Sequence, residues 1–273
     1  NWHSLAFLTA ILFSLVGMEM SAVHAEEVKN PQKDYPRALF YSTIIILTSL
    51  TLASLAIAIV VPQAKISLVS GLINAFSIFF HTYHLAWIIP IISIAMLIGS
   101  LGGISAWIIG PTKGLLVASY DGTIPPIFHS VNQYGVPVAL LITQAIIVTI
   151  LSTVFLLMPT VNTSYWLLSA LTSQLALLFY IFLFSAAIKL RYSKPDQPRA
   201  YKIPGGKLGM CLVSGVAILT CIVVATFGFL PASNITTGNI LFYEGFLIGG
   251  IIVFCGIPLI IYYFHNPSWI NES

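Results

Sequence analysis

The chain has 273 residues, of which 58% are hydrophobic and only 7% are charged, and its formal net charge is +3. A soluble domain carries roughly 25% charged residues, so this composition excludes a soluble globular fold and indicates a polytopic helical membrane protein. The charges lie in short loops between apolar runs, and the small positive balance therefore does not indicate a nucleic-acid partner.

Apolar segments divide the chain into predicted membrane spans. A spanning helix needs about 20 predominantly apolar residues, and the segments that meet this requirement are 5–27, 37–62, 86–109, 137–158, 164–190, 208–230 and 240–264. Two further helices are predicted outside the bilayer, an amphipathic outer helix over 64–84 and a short cytoplasmic helix over 110–122. These elements predict an all-α integral membrane protein with seven transmembrane helices.

Lysines and arginines set the predicted orientation, because cytoplasmic loops carry an excess of them. Ten fall in alternate connections, namely Lys29, Lys33, Arg37, Lys113, Lys189, Arg191, Lys194, Arg199, Lys202 and Lys207, and only Lys65 falls on the opposite side. The chain is therefore expected to start outside and to end in the cytoplasm. It begins with Asn1 and has no recognisable signal peptide, so we expect a piece of a longer protein.

The first predicted span carries Gly17 and Glu19 near its middle. A charged side chain at the centre of a bilayer costs about 3 kcal/mol or more, which makes it a functional-site hypothesis. A glycine just before the acid allows the helix to open into two half-helices and to expose backbone groups to a ligand. Glu19 is either a buried, proton-sensitive acid beside a substrate cavity or a helix-end carboxylate that faces water or a partner lysine.

Two later spans carry other polar or small residues. In the third span, the glycines and serines of 99–107 indicate close helix packing, or a cavity wall in which Ile104 or Trp107 faces the ligand. In the fifth span, Tyr165 and Trp166 have the position of interfacial belt residues. Gln174 and Tyr180 lie deeper there, and they either line a polar path or pack in the core.

The remaining reactive side chains do not form a predicted catalytic or metal site. Cys211, Cys221 and Cys255 lie in apolar runs without ligand spacing, and His81 and His84 have no third ligand nearby. No nucleotide-binding or catalytic motif is present. We therefore expect a protein that is not an enzyme and that has no metal, nucleotide or covalent cofactor.

Charged residues near the ends of two spans have ordinary explanations. His24, Glu26 and Glu27 at the end of the first span are interpreted as a solvated or hydrogen-bonded helix end. Glu244 lies near the outer interface, where its side chain can reach water. The segment Gly245–Gly249 in the last span fits a GxxxG pattern, which is a weak indication of a homodimer contact.

Several runs of residues resemble one transporter family. They are Ser14–Glu19, Glu26–Pro31, Tyr35–Ala38, Trp107–Gly114, Asn132–Val138 and Ile203–Lys207. The chain is similar to permeases of the amino acid–polyamine–organocation superfamily, and most similar to the bacterial glutamate/γ-aminobutyrate antiporter branch. The resemblance implies a twelve-span transporter of the LeuT type, built from two inverted five-span repeats and two extra spans.

The resemblance also implies a domain organisation and a site. Spans six to twelve would be present, with the second repeat within 1–190 and the two extra spans within 208–264, and the N-terminal half would be a missing partner. The carbonyls of Phe13 and Val16 would hold the substrate amine, and Glu19 would act in gating or proton sensing. Other positions of the resembling spans join these residues in the predicted site. The candidate substrate-binding residues are Phe13, Ser14, Val16, Gly17, Ile104, Trp107 and Tyr180.

Two positions depart from the glutamate antiporter pattern. Gly103 stands where those antiporters carry an acid, and Ala176 stands where they carry a second tyrosine. The expected substrate is therefore an amino acid or its decarboxylated amine without further assignment, and no sodium signature is present.

The sequence predicts an amino-acid exchanger of the inner membrane that works by alternating access around a midplane site. The alternative is a truncated product or a regulatory half that does not transport without a partner subunit. A seven-span receptor is disfavoured, because its first span would not be expected to break at a Gly-x-Glu.

Overall fold

A computed structural model describes residues 5–19, 28–62, 67–199, 201–231 and 240–269. These residues form helices and connecting turns, with no β-strand among them, which confirms the predicted all-α fold. The helices are α1 (Phe7–Phe13), α2 (Pro31–Val60), α3 (Gly71–Thr82), α4 (Ile89–Tyr120), α5 (Val138–Ser152), α6 (Val154–Leu157), α7 (Val161–Ser193), α8 (Gly206–Gly228) and α9 (Ile240–Tyr263).

Six helical segments in the described residues are long and apolar enough to cross a membrane. They are Pro31–Val60, Ala86–Tyr120, Val138–Leu157, Val161–Ser193, Gly206–Gly228 and Ile240–Tyr263, and they coincide with the second to seventh predicted spans. The first predicted span begins with α1, which has 7 residues and therefore rises only about 10 Å. Residues 20–27, which complete that predicted span and include His24, Glu26 and Glu27, lie outside the described residues.

The cytoplasmic helix predicted over 110–122 is not a separate element. Helix α4 continues through Pro111 and has 32 residues. A proline inside a helix removes one backbone hydrogen bond, and neighbouring groups can preserve the rest. The buried Thr112 hydroxyl donates to the Ile108 carbonyl at 2.6 Å and lies 3.1 Å from Gln144 Oε1 on α5, so a packed neighbour supports the helix directly after the proline.

The predicted outer helix over 64–84 corresponds to α3, which is shorter. Residues 63–66 lie outside the described residues. An open cavity of about 290 Å³ lies between α2 and α3, and its lining includes Ala56, Leu72 and Phe76 and is apolar throughout. This helix therefore presents apolar side chains toward α2, and its predicted place on the outer face of the membrane stays a prediction.

The chain divides into two compact units. The first unit contains Asn1–Thr43 and Trp166–Gly256, and the second contains Ile44–Tyr165 and Ile257–Ser273. The predicted division into a repeat over 1–190 and two extra spans over 208–264 follows different boundaries and stays a prediction. Most of the candidate site, including Gly17 and Glu19, belongs to the first unit.

Candidate functional site

The candidate site begins where α1 ends, at Phe13. The Ser14 N–H still bonds four residues back, to the Ala10 carbonyl at 3.0 Å. The next two N–H groups bond only three residues back, and that of Val16 reaches the Phe13 carbonyl at 3.1 Å. A carbonyl has two lone pairs, so the Phe13 oxygen keeps one acceptor site for a ligand. The Ser14 hydroxyl is occupied within the helix, where it donates to the Ile11 carbonyl at 2.6 Å.

Gly17 is the residue at which the chain leaves the helical path. Its φ is 109°, a backbone conformation that glycine adopts readily and that strains residues with a Cβ. The freed Gly17 N–H donates to Glu19 Oε2 at 3.1 Å. A peptide N–H left unpaired in apolar surroundings costs about 1–3 kcal/mol, so this carboxylate stabilises the open backbone at the break.

Tyr180 on α7 belongs to the same cluster. Its hydroxyl lies near the Glu19 carboxylate and the Gly17 backbone. The structure therefore brings together three predicted site residues that are up to 163 positions apart in the sequence. The cluster contains a carboxylate, a phenol and an opened backbone, which are groups that exchange protons or recognise a charged solute.

Packing against α7 and α8 fixes the position of α1. A buried cluster of Leu177, Cys221 and Val224 receives Leu8 and Leu12 from α1. At the other end of the contact, a Cβ on Gly228 would lie 2.5 Å from Thr9 Cγ2, so only glycine allows the two helices to approach this closely. Cys221 thus serves as a small core residue, as its sequence context predicts.

Two fully buried side chains meet the end of α8. Gln174 on α7 is 1% exposed and donates from Nε2 to the Ala225 carbonyl at 2.9 Å. Tyr243 on α9 is 0% exposed and donates its hydroxyl to the Gly228 carbonyl at 3.1 Å. Gln174 therefore holds helices together, which decides between its two sequence-based interpretations, and Tyr243 is a structural residue that the sequence did not single out.

Trp166 does not have the environment predicted for a membrane-interface residue. Its side chain is 4% exposed, and its ring packs edge-on against Phe7 of α1 with centroids 5.4 Å apart. The prediction of an interfacial residue was based only on the place of Trp166 near a helix end. In the structure, α1 packs over this side chain and buries it.

The other predicted site residues lie in the second unit. Ile104 and Trp107 are on α4, and their side chains are 56% and 48% exposed. A Cβ on the neighbouring Gly103 would meet no atom within 4 Å. Their assignment to a substrate cavity wall stays a prediction.

Comparisons with known proteins give a consistent relationship. A family profile described as amino acid permease matches residues 1–254. An uncharacterized transporter of Legionella pneumophila subsp. pneumophila is 55% identical over 270 residues, which cover 99% of this chain and 58% of that protein. A glutamate/gamma-aminobutyrate antiporter of Lactococcus lactis subsp. lactis is 29% identical over 266 residues, which cover 96% of this chain and 53% of the antiporter.

A probable agmatine/putrescine antiporter of Lactococcus lactis subsp. lactis is 28% identical over 228 residues, 82% of this chain and 48% of that protein. The chain spans about half the length of the curated relatives it matches. The profile covers nearly the whole sequence, and the chain belongs to the amino acid permease family of the amino acid–polyamine–organocation superfamily.

Proposed function

We propose that this chain forms the second repeat and the two additional spans of an amino-acid exchanger. The observation that carries the proposal is the opened backbone at Gly17, which lies against the Glu19 carboxylate and the Tyr180 hydroxyl. Broken helices with exposed backbone groups are how secondary transporters bind charged solutes near the bilayer midplane. The mechanism is alternating access, in which one repeat rocks against the other around this break.

The substrate class is an amino acid or its decarboxylated amine. The relatives are named for glutamate, γ-aminobutyrate, agmatine and putrescine, and these compounds share an amine that is protonated at neutral pH. A protonated amine donates hydrogen bonds and carries positive charge, so the carbonyls of Phe13 and Val16 at the end of α1 suit it. Ser14 and Gly17 shape the same break, and Ile104 and Trp107 stay candidate substrate contacts that only the sequence supports.

Glu19 is the gating residue in this proposal. Its carboxylate accepts the Gly17 N–H and faces the Tyr180 hydroxyl. Protonation would remove the charge and weaken its hold on the Gly17 peptide, so the geometry of the break would depend on pH. The Glu19→Gln substitution keeps an acceptor oxygen and removes the charge, so we expect the pH dependence of transport to be lost in this variant. A pH profile identical to that of the unsubstituted protein would contradict the role.

The remaining part of the proposal concerns partners and location. The complete transporter contains a first repeat that supplies the other half of the site, and it lies in the inner membrane with its C-terminus in the cytoplasm. Gly245 and Gly249 have no atom within 4 Å of a Cβ built on them, and this open helix face suits contact with a second protomer. The alternative is a truncated or regulatory product that binds a partner subunit without transporting.

The experiment compares exchange in three preparations of proteoliposomes loaded with unlabelled amine. The first contains this chain alone, the second contains this chain joined to the part of the Legionella relative that it does not match, and the third contains the intact relative. We expect labelled glutamate, γ-aminobutyrate or agmatine to exchange in the second and third preparations only. Robust exchange by the chain alone contradicts the missing-repeat proposal. Exchange by the relative but not by the joined protein contradicts transport by this chain.

A further inference from the structure

The segment around the connection from α7 to α8 carries the largest group of basic residues in the chain. Residues 189–199 and 201–211, named here the basic connection, contain one acid, Asp196, and six basic residues, which are Lys189, Arg191, Lys194, Arg199, Lys202 and Lys207. All of them belong to the first compact unit. The cations that can bind a partner are those that intramolecular contacts do not already hold.

Arg199 is used by the fold. Its Nη2 donates to the carbonyls of Leu190 at 3.0 Å and Lys194 at 2.7 Å, and its Nη1 donates to those of Pro195 at 3.3 Å and Gln197 at 3.2 Å. The carbonyl end of a helix carries partial negative charge, so this guanidinium stabilises the end of α7 and joins it to the turn that follows. The bonds to Lys194, Pro195 and Gln197 also hold the turn that follows the helix.

Lys207 is held by a different kind of contact. Its ammonium lies 5.3 Å from the centroid of the Tyr192 ring, a cation–π distance that leaves the N–H donors available. The Tyr192 hydroxyl lies 3.3 Å from Cys211 Sγ on α8, so the ends of the two helices are joined here. Tyr192 and Tyr201 are 53% and 57% exposed, and exposed aromatic rings are enriched at membrane interfaces.

The length of α7 bears on the depth at which the basic connection lies in a bilayer. The helix has 33 residues and therefore rises about 50 Å. The hydrocarbon core is about 30 Å thick, and the bilayer with its headgroups is about 40–45 Å thick. The basic residues occupy only the last turns of α7, the connection and the first turn of α8, so a bilayer that α7 spans would hold them at the level of the lipid phosphates.

We propose that the basic connection binds the headgroups of anionic phospholipids. The charge complementarity is direct, because Lys194, Lys202 and Lys207 are exposed cations and a phosphodiester offers several acceptor oxygens. The exposed tyrosines place apolar rings beside the lipid glycerol region. This inference concerns the lipid partner alone and does not depend on transport.

The test measures lipid selectivity of the purified 273-residue chain in phosphatidylcholine bilayers. Trace spin-labelled phosphatidylglycerol or phosphatidylcholine is added, and electron paramagnetic resonance gives the fraction of each label that is immobilised by the protein. We expect a clear preference for phosphatidylglycerol at 0.1 M salt or below, and a loss of most of it at about 1 M salt, where the Debye length falls to about 3 Å. This measurement uses the chain without any substitution.

Variants then locate the site. The triple variant Lys194→Gln, Lys202→Gln, Lys207→Gln is expected to weaken the relative association constant at least about fivefold, because each cation near an anionic surface contributes about that factor. Asp196→Asn is the matched control of opposite sign and is expected to strengthen it. Circular dichroism checks that helix content is unchanged. Equal immobilisation of both lipids by the wild type, or a preference that survives the triple substitution, overturns the proposal.

Discussion

The side-chain amide of Gln174 on α7 donates a hydrogen bond to the Ala225 carbonyl on α8 at 2.9 Å. Helix α8 ends at Gly228, and the Phe229 N–H bonds three residues back to Thr226 rather than four residues back to Ala225. The Ala225 carbonyl is therefore one of the helix-end groups without a backbone partner, and a side chain from another helix supplies one. This hydrogen bond joins α7, which contains Tyr180, to α8, against which α1 packs.

The first prediction concerns this hydrogen bond. Gln174→Leu keeps a similar volume and removes the donor, so the buried Ala225 carbonyl loses its partner. Interhelical hydrogen bonds in membrane proteins contribute about 0.6 kcal/mol on average and about 1.7 at most, so we expect a loss of about 1 kcal/mol in the free energy of unfolding. Unfolding by sodium dodecyl sulfate in mixed micelles gives this quantity.

The control for Gln174 lies on the same helix. Thr172 is exposed, and its hydroxyl bonds within α7 to the Leu168 carbonyl at 2.8 Å. Thr172→Val is expected to change the free energy of unfolding by less than about 0.5 kcal/mol. Equal effects of the two substitutions would show that the Ala225 contact does not stabilise the fold.

The second prediction concerns the close approach at Gly228. A Cβ at this position would lie 2.2 Å from Gln174 Nε2 and 2.5 Å from Thr9 Cγ2. Gly228→Ala is expected to reduce the free energy of unfolding by about 1–3 kcal/mol, because overpacking a tight contact displaces its neighbours. Adding Thr9→Ser removes the methyl group of one of these neighbours and is expected to restore part of the loss.

Gly215 on the same helix is the matched control. A Cβ there would meet no atom within 4 Å, and alanine is a better helix former than glycine by about 1 kcal/mol. Gly215→Ala is therefore expected to be neutral or stabilising in the same micelle assay. A stabilising effect of Gly228→Ala would contradict the packing described for α1 and α8.

The third prediction concerns the Tyr243 hydroxyl. Tyr243→Phe removes the donor to the Gly228 carbonyl without changing the ring, and both groups are buried. We expect the free energy of unfolding to fall by about 1 kcal/mol, the typical net contribution of a hydrogen bond. Tyr263 on the same helix is 83% exposed, so Tyr263→Phe is expected to have no measurable effect.

The fourth prediction concerns the break after α1. Gly17→Ala places a Cβ on a residue with a φ of 109°, and such a conformation costs about 1–3 kcal/mol for a residue other than glycine. We expect a loss of that size in the free energy of unfolding. Gly103→Ala, at an open position within helix α4, is the control and is expected to be neutral or stabilising. Matching effects at the two sites would mean that the chain does not require an opened backbone at Gly17.

The break at Gly17 shows how much of the candidate site a sequence can predict. The glycine and the acid two residues later were visible as an ionisable group in an apolar run, and the structure has a backbone opening and a carboxylate contact there. For Tyr180 the residues alone left a polar path and core packing open, because no local pattern states which face of a 33-residue helix turns toward another segment. The family resemblance was needed to place it in the predicted site.

Hydropathy, the glycine and the family motifs, all local properties of the chain, determined the membrane class, six of the helices and the position of the candidate site. Tertiary structure alone decided that Gln174 and Tyr243 cap α8, that Trp166 is buried against α1, and that α4 continues through Pro111. The physical reason is that helix formation in a membrane follows from the apolar content of each segment. Capping and side-chain burial instead depend on which distant residues pack together, and a single sequence does not specify those contacts.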